Sequence, residues 1–273
     1  MSKKVSKLNP RKRYLQIALN STLEEAQRII AQLPISDRIL IEVGTPVIKR
    51  YGEEGVRLIK EWYTLRVLGQ MVGPTPTTKS FGASESLISL FLKAARRNYL
   101  RNYSRIQMAQ GLPLIVPYVV ADLKMMDRGE TEVEIAARAG ADAAVALGHS
   151  PIESLNAFIQ NCEDLGLDAM IDMMNVEYPL SILRQLKKLP RVVILHRGVD
   201  EERFNKEKQI PLHEIRRIKS NYDILIAVAG GDTLREVKRA IFNDADIVVV
   251  WKSFFQSTKE TAMLAEQFLK EIK

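Results

Sequence analysis

The chain contains 273 residues, of which 46% are hydrophobic and 27% charged, so it has ample sequence for one large α/β domain or two small ones. No apolar run approaches the roughly 18 residues of a membrane span, and the basic start of the chain lacks the apolar stretch of a secretory signal. The single cysteine, Cys162, excludes an intrachain disulfide, and we expect a cytoplasmic location.

The net charge of +7 is concentrated in two segments. Residues 1–13 contain six Lys or Arg and no acid, and we interpret them as a basic N-terminal tail. Residues 66–112 contain seven basic residues and one acid, Glu85. Because a charge run is usually a solvated face, nucleic-acid contact through these segments is an alternative and not the main expectation.

Eight short apolar segments recur along the chain and alternate with amphipathic segments of helical spacing. Most are continuous apolar runs, as expected for parallel strands that are covered on both faces. The alternation predicts an α/β fold, a (β/α)8 TIM barrel formed by residues 14–273, with an open doubly wound sheet as the alternative. The predicted strands are 14–19, 38–43, 114–122, 142–147, 168–173, 191–196, 223–230 and 246–251.

One unit of this repeat is longer than the others. The second and third predicted strands end at Glu42 and Asp122, 80 residues apart, whereas the 50 residues from Asp122 to Asp172 span two units. We therefore predict an insertion at about 62–113, which contains a long helical pattern. An unstructured stretch of this length would be unusual, so we expect a helical insertion that packs against the barrel or a partner subunit, or covers the site as a lid.

Polar residues follow all eight predicted strands, at the end of the barrel where active sites lie. Glu42 and Asp122 offer hard oxygen ligands from neighbouring strands, which suits Mg²⁺. Lys124 stands between Asp122 and Asp127, whose charges would keep it protonated and able to stabilise a developing oxyanion. His196 is a candidate proton carrier near neutral pH.

A phosphate site is predicted at the ends of the seventh and eighth strands. The glycine pair in "AGGDT" precedes a helix and offers backbone N–H groups to an anion, and phosphate sites recur at this position in barrels. Together with the metal and lysine candidates, this predicts a phosphorylated sugar substrate and an enolate-type intermediate. The candidate substrate- and phosphate-binding residues are Asn20, Arg197, Gly230, Gly231, Lys252 and Ser253.

Motifs such as "IEVGTP", "ADLKMMDRGE", "LHRGVDEE" and "IAVAGGDTL" resemble the orotidine 5′-phosphate decarboxylase superfamily, and within it the 3-hexulose-6-phosphate synthases. The resemblance covers nearly the whole chain except the tail and the insertion. It implies a (β/α)8 barrel, a homodimer with sites at the interface, and Mg²⁺. It also implies a reversible aldol reaction of D-ribulose 5-phosphate with formaldehyde, which forms D-arabino-3-hexulose 6-phosphate.

The resemblance also implies a role for each matching residue. Glu42 and Asp122 would hold the metal, and Lys124 would stabilise the enediolate. Asp127 would reach the site of the neighbouring subunit, and His196 would move the proton.

The sequence departs from the family pattern at two strand ends. Asn20 stands where the family usually has Asp, and Trp251 stands where it usually has Gly, so an indole could crowd the phosphate. The related 3-keto-L-gulonate 6-phosphate decarboxylases have His-Arg-Ser-Arg where this chain has Gly198 and Val199 after His-Arg, which favours the aldolase. The alternatives are such a decarboxylase, an epimerase, or a non-catalytic barrel that binds RNA or protein through its tail and inserted helix.

Overall fold

A computed structural model describes residues 6–72 and 115–273, and its eight parallel strands close into a barrel in sequence order. The barrel closes where β1 pairs with β8. This confirms the predicted (β/α)8 barrel. The strands are β1 (Tyr14–Leu19), β2 (Ile39–Val43), β3 (Val119–Met125), β4 (Ala143–Leu147), β5 (Asp168–Asp172), β6 (Val192–His196), β7 (Leu225–Ala229) and β8 (Ile247–Val250).

Helices follow the strands and cover the outside of the barrel. Within residues 6–72 and 115–273, the α-helices are α1 (Leu23–Gln32), α2 (Thr45–Val67), α3 (Gly129–Arg138), α4 (Ile152–Leu165), α5 (Pro179–Leu183), α6 (Val199–Phe204), α7 (His213–Lys219), α8 (Leu234–Phe242), α9 (Lys252–Gln256) and α10 (Thr261–Glu271). Thr22 caps α1, since its side chain accepts a hydrogen bond from the amide of Glu25. Among the described residues, no helix is both long and apolar enough to cross a bilayer.

The strands bury both of their faces, in two separate apolar layers. Outward side chains such as Ile41 and Ile171 pack against the helices, and inward ones such as Leu40 and Met170 fill the barrel. Side chains alternate along a strand, so the inward positions continue to Glu42 on β2 and Asp172 on β5. The polar groups at the carboxyl end therefore lie directly above a packed apolar interior.

The described part of the predicted basic tail packs against the barrel. Ser6 donates a hydrogen bond of 2.7 Å to Asp168, and Lys7 forms an ion pair with Asp142. The side chain of Leu8 is buried in the inner apolar layer. Residues 6–13 thus lie across the amino-terminal end of the strands, where they cover the barrel on the side opposite to the predicted site.

The predicted insertion overlaps α2 by a few residues. Trp62, Tyr63 and Val67 are buried in the outer layer, and the hydroxyl of Tyr63 donates to the carbonyl of Ile39 at 2.7 Å. These side chains continue the apolar face of α2, so residues 62–67 belong to the helix that covers the barrel. Most of the predicted insertion, including the long helix predicted there, lies outside the described residues.

Candidate active site

The carboxyl ends of the strands surround a cavity of about 390 Å³. This volume falls within the range of about 300–1,000 Å³ that is usual for small-molecule sites. The predicted site residues that line it are Asn20, Glu42, Asp122, Lys124, His196, Arg197 and Gly230.

A buried carboxylate joins two basic side chains in this cavity. Asp172 Oδ2 accepts a hydrogen bond of 2.6 Å from Lys124 Nζ and lies 2.8 Å from His196 Nδ1. The second oxygen, Oδ1, accepts from the backbone N–H of Met174 at 2.9 Å. Lys124 also forms an ion pair of 3.0 Å with Asp122. The side chains of three strands, β3, β5 and β6, therefore form one electrostatic network.

The local shape of β3 positions Lys124. The pairing of β3 with β4 shifts register between Ala121 and Met125, and Lys124 has a φ of +48°. A left-handed conformation is uncommon for a lysine and costs free energy unless the surrounding contacts hold it. The two carboxylates around its ammonium group supply such contacts.

The network fixes the charge of its members. Burial opposes ionisation of Asp172, but His196 and Lys124 outweigh it and lower the pKa of Asp172 from 3.8 to about 2. Burial likewise opposes the charge on Lys124, but the carboxylates of Asp122, Asp172 and Glu42 raise its pKa. The pKa of His196 is also raised, because Asp172 outweighs the effect of burial. The raised pKa keeps Lys124 protonated. The sequence predicted this effect from Asp122 and Asp127, whereas the structure places Asp122 and Asp172 beside the ammonium group.

Glu42 lies beside this network, at a position that disfavours its charged form. It is only 8% exposed, and the side-chain amide of Gln16 donates a hydrogen bond to it. Burial, followed by the negative charge of Asp122, raises the pKa of Glu42 to about 7. Asp122 in turn accepts from the hydroxyl of Thr45 at 3.0 Å.

The pair Glu42 and Asp122 has the chemistry of a magnesium site. Within the described ranges, no three His, Cys, Asp or Glu side chains form a ready-made metal cluster. Mg²⁺, however, usually takes one or two carboxylates and completes its shell with water and substrate oxygens. A cation between the two side chains would relieve the repulsion that helps to raise the pKa of Glu42. The residues present therefore fit the predicted ion.

The predicted phosphate residues are only partly brought together. Gly230 has a φ of +91°, and a Cβ there would lie 2.2 Å from the carbonyl oxygen of Arg197, so the position requires glycine. The guanidinium group of Arg197 donates back to the carbonyl of Gly230 at 2.8 Å. Gly231, Lys252 and Ser253 do not line the cavity.

The two departures from the family pattern both line the cavity. A Cβ on Gly44 would lie 1.7 Å from Asn20 Oδ1, so a glycine at the start of α2 lets Asn20 approach the backbone. Trp251 follows β8 and packs against Phe255 with ring centroids 5.9 Å apart. The indole forms part of the wall, and the cavity remains beside it.

Asp127 lies outside this cavity. Its side chain is exposed, and Ser154 Oγ donates to it at 3.5 Å. The single chain does not bring Asp127 to Lys124, so its role in the site of a neighbouring subunit stays a prediction.

The structure adds residues that the sequence did not single out. The sequence places Asp172 at the end of a strand without indicating a role for it, and no motif singles out Gln16. Gln16 lies two residues before Ala18, and Asp172 two residues after Met170, so both share the inward face of their strands with apolar neighbours. A polar residue at an inward position was the signal available in the sequence.

Known proteins resemble this chain along most of its length. The "Bifunctional enzyme Fae/Hps" of Methanosarcina barkeri is 32% identical over 95% of this chain and 52% of its own length. The protein of the same name from Methanosphaera stadtmanae is 33% identical over 94% of this chain and 52% of its own. The chain spans about half the length of these curated relatives.

Solved structures share the fold at lower identity. The 3-hexulose-6-phosphate synthase of Salmonella typhimurium superposes with a TM-score of 0.69 and 23% identity, covering 95% of this chain and 98% of that one. KGPDC from Streptococcus mutans superposes with a TM-score of 0.65 and 16% identity, covering 96% and 98%. Residues 117–265, more than half of the chain, match the sequence model described as "Orotidine 5'-phosphate decarboxylase / HUMPS family". The chain therefore belongs to the orotidine 5′-phosphate decarboxylase / HUMPS family.

Proposed function

We propose that this chain is a Mg²⁺-dependent aldolase that interconverts D-ribulose 5-phosphate plus formaldehyde and D-arabino-3-hexulose 6-phosphate. The observation that carries the proposal is the convergence of Glu42, Asp122, Lys124, Asp172 and His196 in one cavity. Similarity to relatives named Fae/Hps and to a structure named 3-hexulose-6-phosphate synthase supports the choice of reaction.

Glu42 and Asp122 would hold the magnesium ion. A divalent cation at this position supplies Lewis-acid polarisation of the ketose oxygens, which acidifies the adjacent C–H bond. Side chains of this chain would stabilise the negative charge of the enediolate and accept the proton that the ketose loses.

Lys124 would stabilise the enediolate formed when the ketose loses its proton. Its ammonium group is held by Asp122 and Asp172, so little reorganisation is needed as negative charge develops on the substrate. A Schiff base at this lysine is disfavoured, because its raised pKa keeps the amine protonated.

His196 would move the proton. Asp172 engages its Nδ1, so Nε2 is the ring nitrogen left for proton transfer. Since the pKa of His196 is raised, its neutral and basic form appears above the usual value of 6.5. The rate of proton abstraction should therefore rise with pH through that raised value.

We propose that Gly230 and Arg197 border the phosphate of the substrate and that Asn20 contacts the sugar. A homodimer would bring Asp127 to the site of the partner.

The test is consumption of formaldehyde by the purified chain in the presence of D-ribulose 5-phosphate. We expect turnover with Mg²⁺ and none with EDTA, and a loss of about 10²–10³-fold for Lys124→Gln. The control is Lys238→Gln, which removes an exposed lysine that pairs with Glu271 on the outer helices. Failure of the wild-type chain to consume formaldehyde would refute the proposal, and release of CO₂ from 3-keto-L-gulonate 6-phosphate would identify a decarboxylase instead.

A further inference from the structure

An acidic side chain occupies the end of the cavity where the substrate phosphate is expected. Asp232 follows the glycine pair after β7 and lines the cavity. Its Oδ1 accepts hydrogen bonds from two backbone N–H groups just after β8, that of Trp251 at 2.6 Å and that of Lys252 at 3.0 Å. Ser253 Oγ also donates to the backbone carbonyl of Asp232 at 2.6 Å. The loops after β7 and β8 are thus joined through one carboxylate.

The cationic groups near this position are also engaged by acids. Lys252 Nζ forms an ion pair with Glu202, which itself lines the cavity. The guanidinium group of Arg197 lies 3.4 Å from Glu236 Oε1 in addition to its bond to a backbone carbonyl. The two basic side chains predicted to bind phosphate therefore already have anionic partners.

A phosphate ester would need the same donors that Asp232 now uses. Phosphate is held in proteins by backbone N–H groups and by Arg or Lys side chains, all of which also bind carboxylates. Two anions cannot share one pair of N–H groups, because their repulsion is strong in a partly buried site.

We propose that Asp232 is a specificity-determining residue that competes with the substrate phosphate for the backbone N–H groups of Trp251 and Lys252. A phosphorylated ligand binds there only when the carboxylate leaves these donors, so Asp232 weakens the affinity for phosphate. The identity of the ligand rests on the proposed function, whereas the competition itself is a property of the loop. If Asp232 served only to cap α9, its removal would destabilise the helix without strengthening anion binding.

Calorimetric titration of the chain with inorganic phosphate distinguishes competition with phosphate from a role of Asp232 in capping α9 alone. In Asp232→Asn the amide oxygen still accepts the two N–H bonds but the charge is gone, and we expect phosphate to bind about tenfold more tightly. Asp232→Ala frees the donors as well and should bind phosphate at least as tightly as the Asn variant. Asp200→Asn removes an exposed acid from the first turn of α6, outside the cavity, and should leave the affinity unchanged.

Amide ¹⁵N chemical shifts give a second readout. Phosphate should perturb the amides of Trp251 and Lys252 in both Asp232 variants at concentrations that leave the wild-type signals in place. Equal or weaker phosphate affinity in both variants, with cooperative unfolding retained, would overturn the inference. A chain that shows the predicted affinities yet consumes no formaldehyde would refute the proposed reaction and leave the inference standing.

Discussion

Replacing Asp172 with asparagine removes the central negative charge of the site while keeping a side chain of similar shape. Asp172 is fully buried, and one of its oxygens contacts both Lys124 and His196. Without the charge, two basic groups face each other in a buried position. We expect the variant to be less stable and His196 to lose its proton at a lower pH.

The magnitude follows from the pKa of Asp172, which is lowered from 3.8 to about 2. A shift of this size corresponds to roughly 2–3 kcal/mol, and breaking a buried ion pair typically costs about 3–5 kcal/mol. For a loss of about 3 kcal/mol, the value common to both ranges, and roughly 2–4 °C per kcal/mol in a domain of this size, the melting temperature should fall by about 6–12 °C. Because the folded pKa is lowered, this stabilisation is complete above pH 3.8 and disappears as the pH falls towards 2.

Urea unfolding at several pH values and NMR titration of the histidine ring measure both effects. The matched control is Asp244→Asn, which removes an exposed acid that pairs with Lys219, and an exposed pair contributes about 0–1 kcal/mol. In Asp172→Asn the pKa of His196 should fall below its usual value, because burial and the charge of Lys124 both lower it. A stability loss no larger than the control, or an unchanged histidine pKa, would refute the reasoning.

Three further changes test separate parts of the site. Asp122→Ala should abolish turnover and divalent-metal binding while far-UV circular dichroism stays unchanged, and normal turnover would contradict the metal assignment. Glu42→Gln should raise the free energy of unfolding by about 3 kcal/mol at pH 8 but not at pH 4. The reason is that a folded pKa of about 7 makes the ionised form costly as the pH rises from 4.5 to 7. Equal urea midpoints of the variant and the wild type at pH 8 would contradict this. Gly230→Ala should lower the free energy of unfolding by roughly 3 kcal/mol or more, since the added Cβ would meet a backbone oxygen at 2.2 Å. The control is Gly52→Ala, where φ is also positive but no atom lies within 4 Å of the added Cβ. A loss in urea unfolding no larger for Gly230→Ala than for Gly52→Ala would contradict the prediction.

The fold and the main cluster were predictable because both follow from local patterns. Continuous apolar runs predicted the strands, and the residues at their ends included Glu42, Asp122, Lys124 and His196, which do meet in one cavity. Boundaries were less predictable at β3, which was expected at 114–122 and is found at Val119–Met125. The prediction ends the strand at Asp122, whereas β3 continues through Lys124 to Met125 with a shift in register.

Other features depend on contacts that no local pattern reveals. The basic residues of the amino-terminal segment predicted a solvated tail. In the structure, however, Ser6 contacts Asp168 at the start of β5, and Lys7 pairs with Asp142 just before β4. The role of Asp172 depends on two basic partners that lie 48 and 24 residues away in the chain. Sequence placed Asp172 at a strand end, and only the closed barrel shows that it links Lys124 to His196.

The charges at the centre of the cavity leave an imbalance that bears on how a phosphorylated substrate enters. Glu42, Asp122 and Asp172 supply three negative charges, and Lys124 with a protonated His196 supplies two positive ones. Burial, together with the negative charge of Asp122, raises the pKa of Glu42 to about 7 in the chain alone. A divalent cation held by Glu42 and Asp122 would instead make the cluster net positive, and so favour a dianionic ligand over an empty cavity. The burial that makes Glu42 costly to ionise would thus also favour the proposed metal ion between Glu42 and Asp122, and with it the proposed phosphate ester.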